Sequence, residues 1–384
     1  MGWYDSRTML GRLRFSGLLI TAVLFSFSGC SKNGAPVIKI GFAAPLTGDQ
    51  AALGTDMQRG AELALEQAGE VLPGYKIQLV ALDDSRNPAQ AVSVAKRLAA
   101  DPDVMAVVGH LNSSCTKPAS AVYHEARLLQ ISPVSSNPDI SRQGFDTFFR
   151  ICPTDDRQGP AAARFAMQKL GTKRVFILDD LTTYGRGLSN EFEKSAKSLG
   201  MGILGHEGIT QGEKDFTPLL TKIKGLEPDG IYFAGMFPEA AQLIRQKAKL
   251  GISAKFLGSD GQFEPTLITL ATPEAAEGVY LTTLGGDIHQ IPTAKAFVES
   301  FEKKYGRMGV YSYYVFEATN VALEAIRRAG KKNRAAVLAA MHGMKEFSGI
   351  LGTHTFDSKG DTTLRTIGVY TVRNGKFEFV EASN

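Results

Sequence analysis

The chain has 384 residues, with 43 Lys and Arg against 39 Asp and Glu for a formal net charge of +4. That length exceeds one ordinary domain and points to two. So small a positive balance, without basic blocks or interleaved aromatics, excludes nucleic acid as a partner.

The first residues read as a leader rather than a fold element. Arg7, Arg12 and Arg14 form a basic region, and residues 15–27 are an apolar run interrupted only by Ser, Thr and Gly. The run is shorter than the ~20 residues of a membrane-spanning helix and reads as the core of a signal peptide. An uncleaved hydrophobic anchor is the alternative, and Met9 is an alternative start giving a leader of more usual length. Phe27-Ser28-Gly29-Cys30 resembles the lipobox of bacterial lipoproteins, with Phe27 where Leu is usual. The resemblance implies a signal peptide over residues 1–29, acylation of Cys30, and a short polar tether through residue 36. On either reading the functional part lies outside the cytoplasm. Loss of residues 1–29 removes three Arg, one Asp and Trp3, the only tryptophan, and lowers the net charge from +4 to +2.

From residue 37 short apolar runs alternate with amphipathic stretches. Strands are expected at 37–43, 77–82, 105–109 and 129–132. Helices are expected at 51–68, where Met57, Ala61, Ala64, Leu65 and Ala68 share a face, from Pro88, and at 116–126. The rhythm restarts after Arg150, with helices at 158–170, 188–199, 216–224 and 238–249 and strands at 174–179, 202–209, 230–233 and 255–257. Helical patterns follow at 293–305 and 312–329. Strands this continuously apolar suit parallel sheets covered on both faces, so the pattern predicts an α/β protein of two doubly wound, Rossmann-like lobes. No internal repeat and no low-complexity segment follows the tether. Cys115 and Cys152, the cysteines besides Cys30, read either as small buried hydrophobes or as a bridged pair that the compartment permits.

Catalytic patterns are missing. The chain has no G-x-S-x-G elbow, Walker loop or G-x-G-x-x-G after a strand. His124-Glu125 lacks a second His at metalloprotease spacing, and the six histidines are scattered, which gives no metal-ligand pattern. Neither catalysis, a cofactor nor a metal is expected. An extracytoplasmic hydrolase is the weaker alternative, for it lacks a nucleophile–base pair.

Four polar segments follow predicted strands, where open α/β sheets place ligands. Residues 109–116 put Ser113 and Ser114 at a helix start, a position for either a plain N-cap or an anion site. Residues 131–138 hold Val134, Ser135 and Ser136 between Pro133 and Pro138, whose rings keep the backbone extended. Residues 181–187 place Tyr184 among glycines, and 258–261 place Asp260 on a tight loop. Each alone is equally a turn.

Taken with Asp83-Asp84, Pro88 and Ala91, residues 155–160, Gly212-Glu213-Lys214-Asp215-Phe216, Pro238-Glu239 with Arg245-Gln246, and Asp357-Ser358-Lys359-Gly360-Asp361, the set resembles the periplasmic leucine/isoleucine/valine-binding proteins. These are a branch of the type I periplasmic binding fold, and the resemblance runs from residue 38 to the end. It implies two lobes joined by a hinge that the chain crosses more than once. Lobe one would comprise residues 37–155 and 285–366, and lobe two 156–284 and 367–384.

It also implies roles. Ser113 would hold a ligand carboxylate, and Ser136, at a family threonine, would contact carboxylate and ammonium. Val134 would offer its carbonyl to the ammonium, Asp260 would pair with it in place of a longer glutamate, and Tyr184 would close over the ligand. Ser135 belongs to the same contact segment. Leu53 and Met236 stand where well-known members carry aromatics around the side-chain pocket, and Tyr311 is a further candidate for its wall. Arg86 and Asn112 stand where the family has a disulfide. The implied protein is a monomeric lipoprotein at the periplasm or cell surface that captures a branched-chain or other aliphatic amino acid for the permease of an ABC importer. A sensory module for a membrane receptor, or a binder of an amide, urea or aromatic amino acid, remains open.

Overall fold

The computed structural model describes residues 35–383, so Cys30 and the expected signal peptide lie outside the described residues. The chain opens with β1 (Val37–Ala44), α1 (Ala51–Gln67), β2 (Lys76–Asp83), α2 (Pro88–Ala100), β3 (Val104–Gly109), α3 (Ser113–Glu125), β4 (Leu129–Ser132) and β5 (Phe148–Arg150). These strands form one sheet in the order β2-β1-β3-β4-β5, and every neighbouring pair is parallel. β3 and β4 are buried along their whole length, because helices cover both faces of a parallel sheet. Ala43, Val94, Leu98, Val107, Ala119 and Tyr123 fill the space under α2 and α3.

A second series follows: α4 (Asp155–Gln168), β6 (Arg174–Asp179), α5 (Thr183–Ser198), β7 (Gly202–Gly208), α6 (Thr217–Gly225), β8 (Gly230–Ala234), α7 (Phe237–Lys249), β9 (Lys255–Gly258), α8 (Pro265–Ala271), α9 (Pro273–Ala276) and β10 (Tyr280–Thr283). Three helices then return to the first sheet. These are α10 (Lys295–Tyr305), α11 (Ser312–Ala329) and α12 (Arg334–His342), with α11 lying against α1, β3 and β4. After a small hairpin of β11 (Phe347–Gly349) and β12 (Gly352–His354), β13 (Ile367–Arg373) and β14 (Lys376–Ser383) complete the second sheet. Its order is β14-β13-β10-β9-β8-β6-β7; β13 and β14 run antiparallel, and the remaining pairs are parallel. The architecture is therefore α/β with two doubly wound sheets.

Local chemistry explains the boundaries. Pro88 starts α2 behind Asn87, whose side chain accepts from the amides of Ala89 and Gln90, a cap that satisfies two otherwise unpaired donors. α3, α4 and α5 begin three to five residues earlier than their apolar periodicity predicts, because their first turns are polar and face the space between the sheets. β5, β10 and α12 escape the sequence pattern through brevity. β13 and β14 form a hairpin turned at Asn374 and Gly375, both with positive φ.

In each sheet the parallel strands follow the 2-1-3-4-5 order, so the winding reverses between β1 and β3 and again between β6 and β8. Crevices open beyond the carboxyl ends of strands at such reversals. The loops after β3, β4, β6, β8 and β9 are those that carry the predicted site.

Candidate functional site

Leu111, Asn112, Ser113 and Val134 from the first-sheet loops meet Tyr184, Met236 and Asp260 from the second-sheet loops, with Tyr311 from the turn before α11. Together they line a small cavity of ≈ 20 Å³. That is enough for roughly one water and too little for an amino acid. A larger hollow of ≈ 240 Å³ lies elsewhere, among Phe263, Tyr313, Tyr370 and Phe377; it contains none of the predicted residues.

Asp260 is the centre of the second-sheet wall. It sits just after β9, is 3 % exposed, and accepts from the Tyr184 hydroxyl at 2.6 Å and the Tyr311 hydroxyl at 2.9 Å. Burial raises its carboxyl above the usual range, while those hydroxyls oppose the shift. A buried carboxylate held by hydroxyl donors is built to meet a cation, which would restore the lost solvation. Gly261 permits this packing. A Cβ there would lie 2.6 Å from Met236 Sδ and 2.9 Å from the Gly235 carbonyl.

The first-sheet wall presents the opposite character. Ser113 is the first residue of α3 and 2 % exposed. A helix start offers unpaired amides and the positive end of the helix dipole, and with a serine hydroxyl beside them it suits a carboxylate. Cation-seeking and anion-seeking groups thus face one another across the cavity, and the wall between them is apolar through Leu111, Val134 and Met236.

Of the predicted contacts, Ser113, Val134, Tyr184, Met236 and Asp260 line this cavity, as does Tyr311. Leu53, Ser135 and Ser136 do not. Leu53 is 2 % exposed and packs in the apolar core. The Ser135 hydroxyl bonds the carbonyls of His110 and Leu111 at 3.0 and 2.9 Å, fastening the loop that leads to Ser113. Ser136 is buried, and its Oγ has no hydrogen-bond partner among the described residues. Beside it Asp155 is fully buried, which pushes its carboxyl up to about 8; the Asp260 charge adds to the shift, and the Arg150 charge opposes it. Cys30 lies outside the described residues. Cys115 and Cys152 are buried and unbridged, and burial raises both thiols, so neither is a ready nucleophile.

Two positioning groups escape the sequence pattern. Arg150 is fully buried. It donates to the carbonyls of Ser135 and Asn137 at 2.8 and 2.7 Å and to Asp361 at 2.9 Å, so it shapes the loop holding Val134 and Ser136. The Asn137 amide donates to the Thr183 carbonyl at 2.7 Å, linking that loop to the start of α5. Nothing in a lone Arg after Phe148-Phe149 signals such a role, although its partner Asp361 belongs to one of the sequence motifs.

Among the described residues no cluster of three His, Cys, Asp or Glu could hold a metal, and no helix is long and apolar enough to cross a membrane.

Residues 37–376 match the family described as periplasmic binding protein. An amino acid binding protein of Pseudomonas aeruginosa is 37 % identical over 367 residues, covering 94 % of this chain and 97 % of that one. The Leu/Ile/Val-binding protein homolog 1 of Brucella suis is 35 % identical over 372 residues, covering 96 % and 98 %. Among solved structures, a leucine binding protein of Thermotoga maritima superposes with a TM-score of 0.85 at 31 % identity, over 90 % of this chain and 99 % of that one. The branched-chain amino acid transporter substrate binding protein of Streptococcus pneumoniae, solved with isoleucine, gives 0.83 at 29 % identity over the same shares.

Proposed function

The chain belongs to the periplasmic binding protein family, and from that premise we propose that it captures a branched-chain or other aliphatic amino acid for an ABC importer. The observation that carries the proposal is one apolar-walled cavity with a helix start at Ser113 on one side and the buried Asp260 carboxylate on the other. A zwitterion carries both complementary charges, and hydrogen bonds to charged groups are roughly twice as strong as neutral ones.

Ser113 and the α3 amides take the carboxylate, and the Val134 carbonyl accepts from the ammonium. Asp260 takes the ammonium, exchanging the Tyr184 or Tyr311 hydroxyl for it. The aliphatic side chain lies toward Leu111 and Met236, with Leu53 and Ser135 supporting the wall from behind. Because the cavity is smaller than its ligand, entry requires the lobes to part. Contacts made only when both lobes meet then favour the closed form. We divide the lobes at 37–155 with 285–366, and 156–284 with 367–384. This division is supported by α11 lying on α1 and β3, and by α4 lying on α5, β10 and β13. The proposal further includes a lipid anchor at Cys30, residence in the periplasm or at the cell surface, a monomeric state and permease subunits as partners; no cofactor and no catalytic step enter it.

Calorimetry with a panel of free amino acids, their amides, urea and aromatic acids tests this reading. Binding of leucine, isoleucine or valine above the rest is expected. Binding confined to a ligand without an ammonium or without a carboxylate would overturn it.

A further inference from the structure

Arg86 stands on the turn between β2 and α2, on the first-sheet side of the cleft. Its φ is +58° and that of Ser85 is +50°, a conformation costly for residues bearing a side chain. Carboxylates hold it in place. Asp83 accepts from the Ser85 amide at 2.8 Å, Asp84 accepts from the Arg86 amide at 3.0 Å, and His110 clamps Asp84 at 2.7 Å. The turn therefore fixes where the guanidinium starts.

From there it crosses the cleft. Arg86 Nη1 is 3.0 Å from Asp49 on its own side and 3.7 Å from Glu239 Oε1, and Nη2 is 4.0 Å from Asp180 Oδ2. Asp180 and Glu239 belong to the second-sheet loops, and the side chain of each is 1 % exposed. Asp180 lies on the loop that leads to Tyr184, and Glu239 in the first turn of α7 beside Met236, so both acids ride on the cavity wall. Arg86 Nη2 and Asp180 Oδ2, which face each other, are buried and have no hydrogen-bond partner among the described residues, and neither has Glu239 Oε2. A small further approach of the lobes turns this near-contact into charge-assisted hydrogen bonds.

We propose that Arg86 is a positioning residue for capture: carried by one lobe, it fastens the closed cleft by pairing with Asp180 and Glu239 of the other, and so sets how long the ligand is held. The proposal rests on the closure described above. Without the guanidinium, two desolvated carboxylates share a site with no opposite charge from the facing lobe, and parting the lobes relieves them.

The test is Arg86→Gln, alone and combined with Glu239→Gln, which still accepts the Gly212 amide that Glu239 accepts at 2.9 Å. Arg86→Gln is expected to raise Kd on the order of tenfold, mainly through faster dissociation, as truncation of one side of a buried charge pair does. The double variant is expected to regain most of the loss, because removing an acid relieves the exposed repulsion. Interlobe distances are measured in parallel on ligand-free protein by spin labels at Lys96→Cys and Lys222→Cys. Arg86→Gln should lengthen them, and the double variant should shorten them again. A dissociation rate and distances that both match the parent overturn the proposal, as does a double variant no better than the single. If the parent binds no amino acid, the proposed function falls, and the ligand-free distances alone then decide the role of Arg86.

Discussion

Ser113 and Asp260 carry the recognition argument, and each makes a separable prediction. Ser113→Ala and Asp260→Ala are each expected to weaken amino-acid binding by about 1.5–3 kcal/mol, the scale of a hydrogen bond to a charged group. Calorimetry that finds both variants binding like the parent would remove the charge-pair account. A different buried carboxyl contributes to the pH response. Glu317 is fully buried in α11 and accepts from the amides of Ile350 and Leu351 at 3.0 and 3.3 Å. Burial raises its carboxyl to about 7, against the pull of those amides. The folded state then keeps a proton that the unfolded chain releases near 4.5, so stability falls as pH rises from about 4.5 to about 7. Glu317→Gln should flatten that fall by about 1–3 kcal/mol. Urea unfolding at pH 5, 6, 7 and 8 measures it, and equal slopes in parent and variant would exclude Glu317 as the cause. Ser113, Val134, Tyr184 and Asp260, which line the cavity, were legible in sequence because each follows a strand in a loop of small polar residues. Arg150 and Glu317 were not, since their partners, Asp361 and the Ile350 amide, are remote in sequence.

Between elements, the contact of α1 with α11 bears most directly on the site. Gly60 in α1 lies against the start of α11, where a Cβ would come within 2.2 Å of the Ser312 carbonyl oxygen. Asp56, on the same helix, accepts from the amides of Gly309 and Ser312 at 3.0 and 3.2 Å. Val310 and Tyr311 lie between those two bonds, and the Tyr311 hydroxyl reaches Asp260. α1 therefore positions a cavity wall that it does not itself form. Gly60→Val should push the helices apart at a cost of about 1–3 kcal/mol in stability, as overpacking does, and should weaken ligand binding as well. Denaturant unfolding together with calorimetry checks both, and a variant that loses stability but binds normally would uncouple α1 from Tyr311. Sequence periodicity captures α1 and α11 as helices, yet Gly60 alone could equally mark a turn or a surface position. Its meaning comes from the helix laid across it.

For the whole molecule, a ligand that bridges two lobes stabilises and compacts them together. Saturating amino acid at 100 times Kd is expected to add about 2.7 kcal/mol to folding stability, read as a raised Tm, and to reduce the radius of gyration in small-angle scattering. A Tm shift without compaction would mean binding to one lobe only, contrary to the cavity shared by Ser113 and Asp260.

Alternating apolar runs and amphipathic stretches were enough to determine an α/β chain of two parallel-sheet series, and small polar residues after the strands picked out four of the loops that line the cavity. Both follow from local rules, the burial demanded by a two-faced sheet and the turn chemistry at strand ends. The tertiary structure decided which loop residues face one another. Tyr311 joins the cavity from a distant turn, Leu53 and Ser135 recede into support, and Arg86 reaches acids from the other half of the chain. Such pairings depend on how two separately wound sheets are brought together, and no periodicity along one chain encodes a distance between its remote parts.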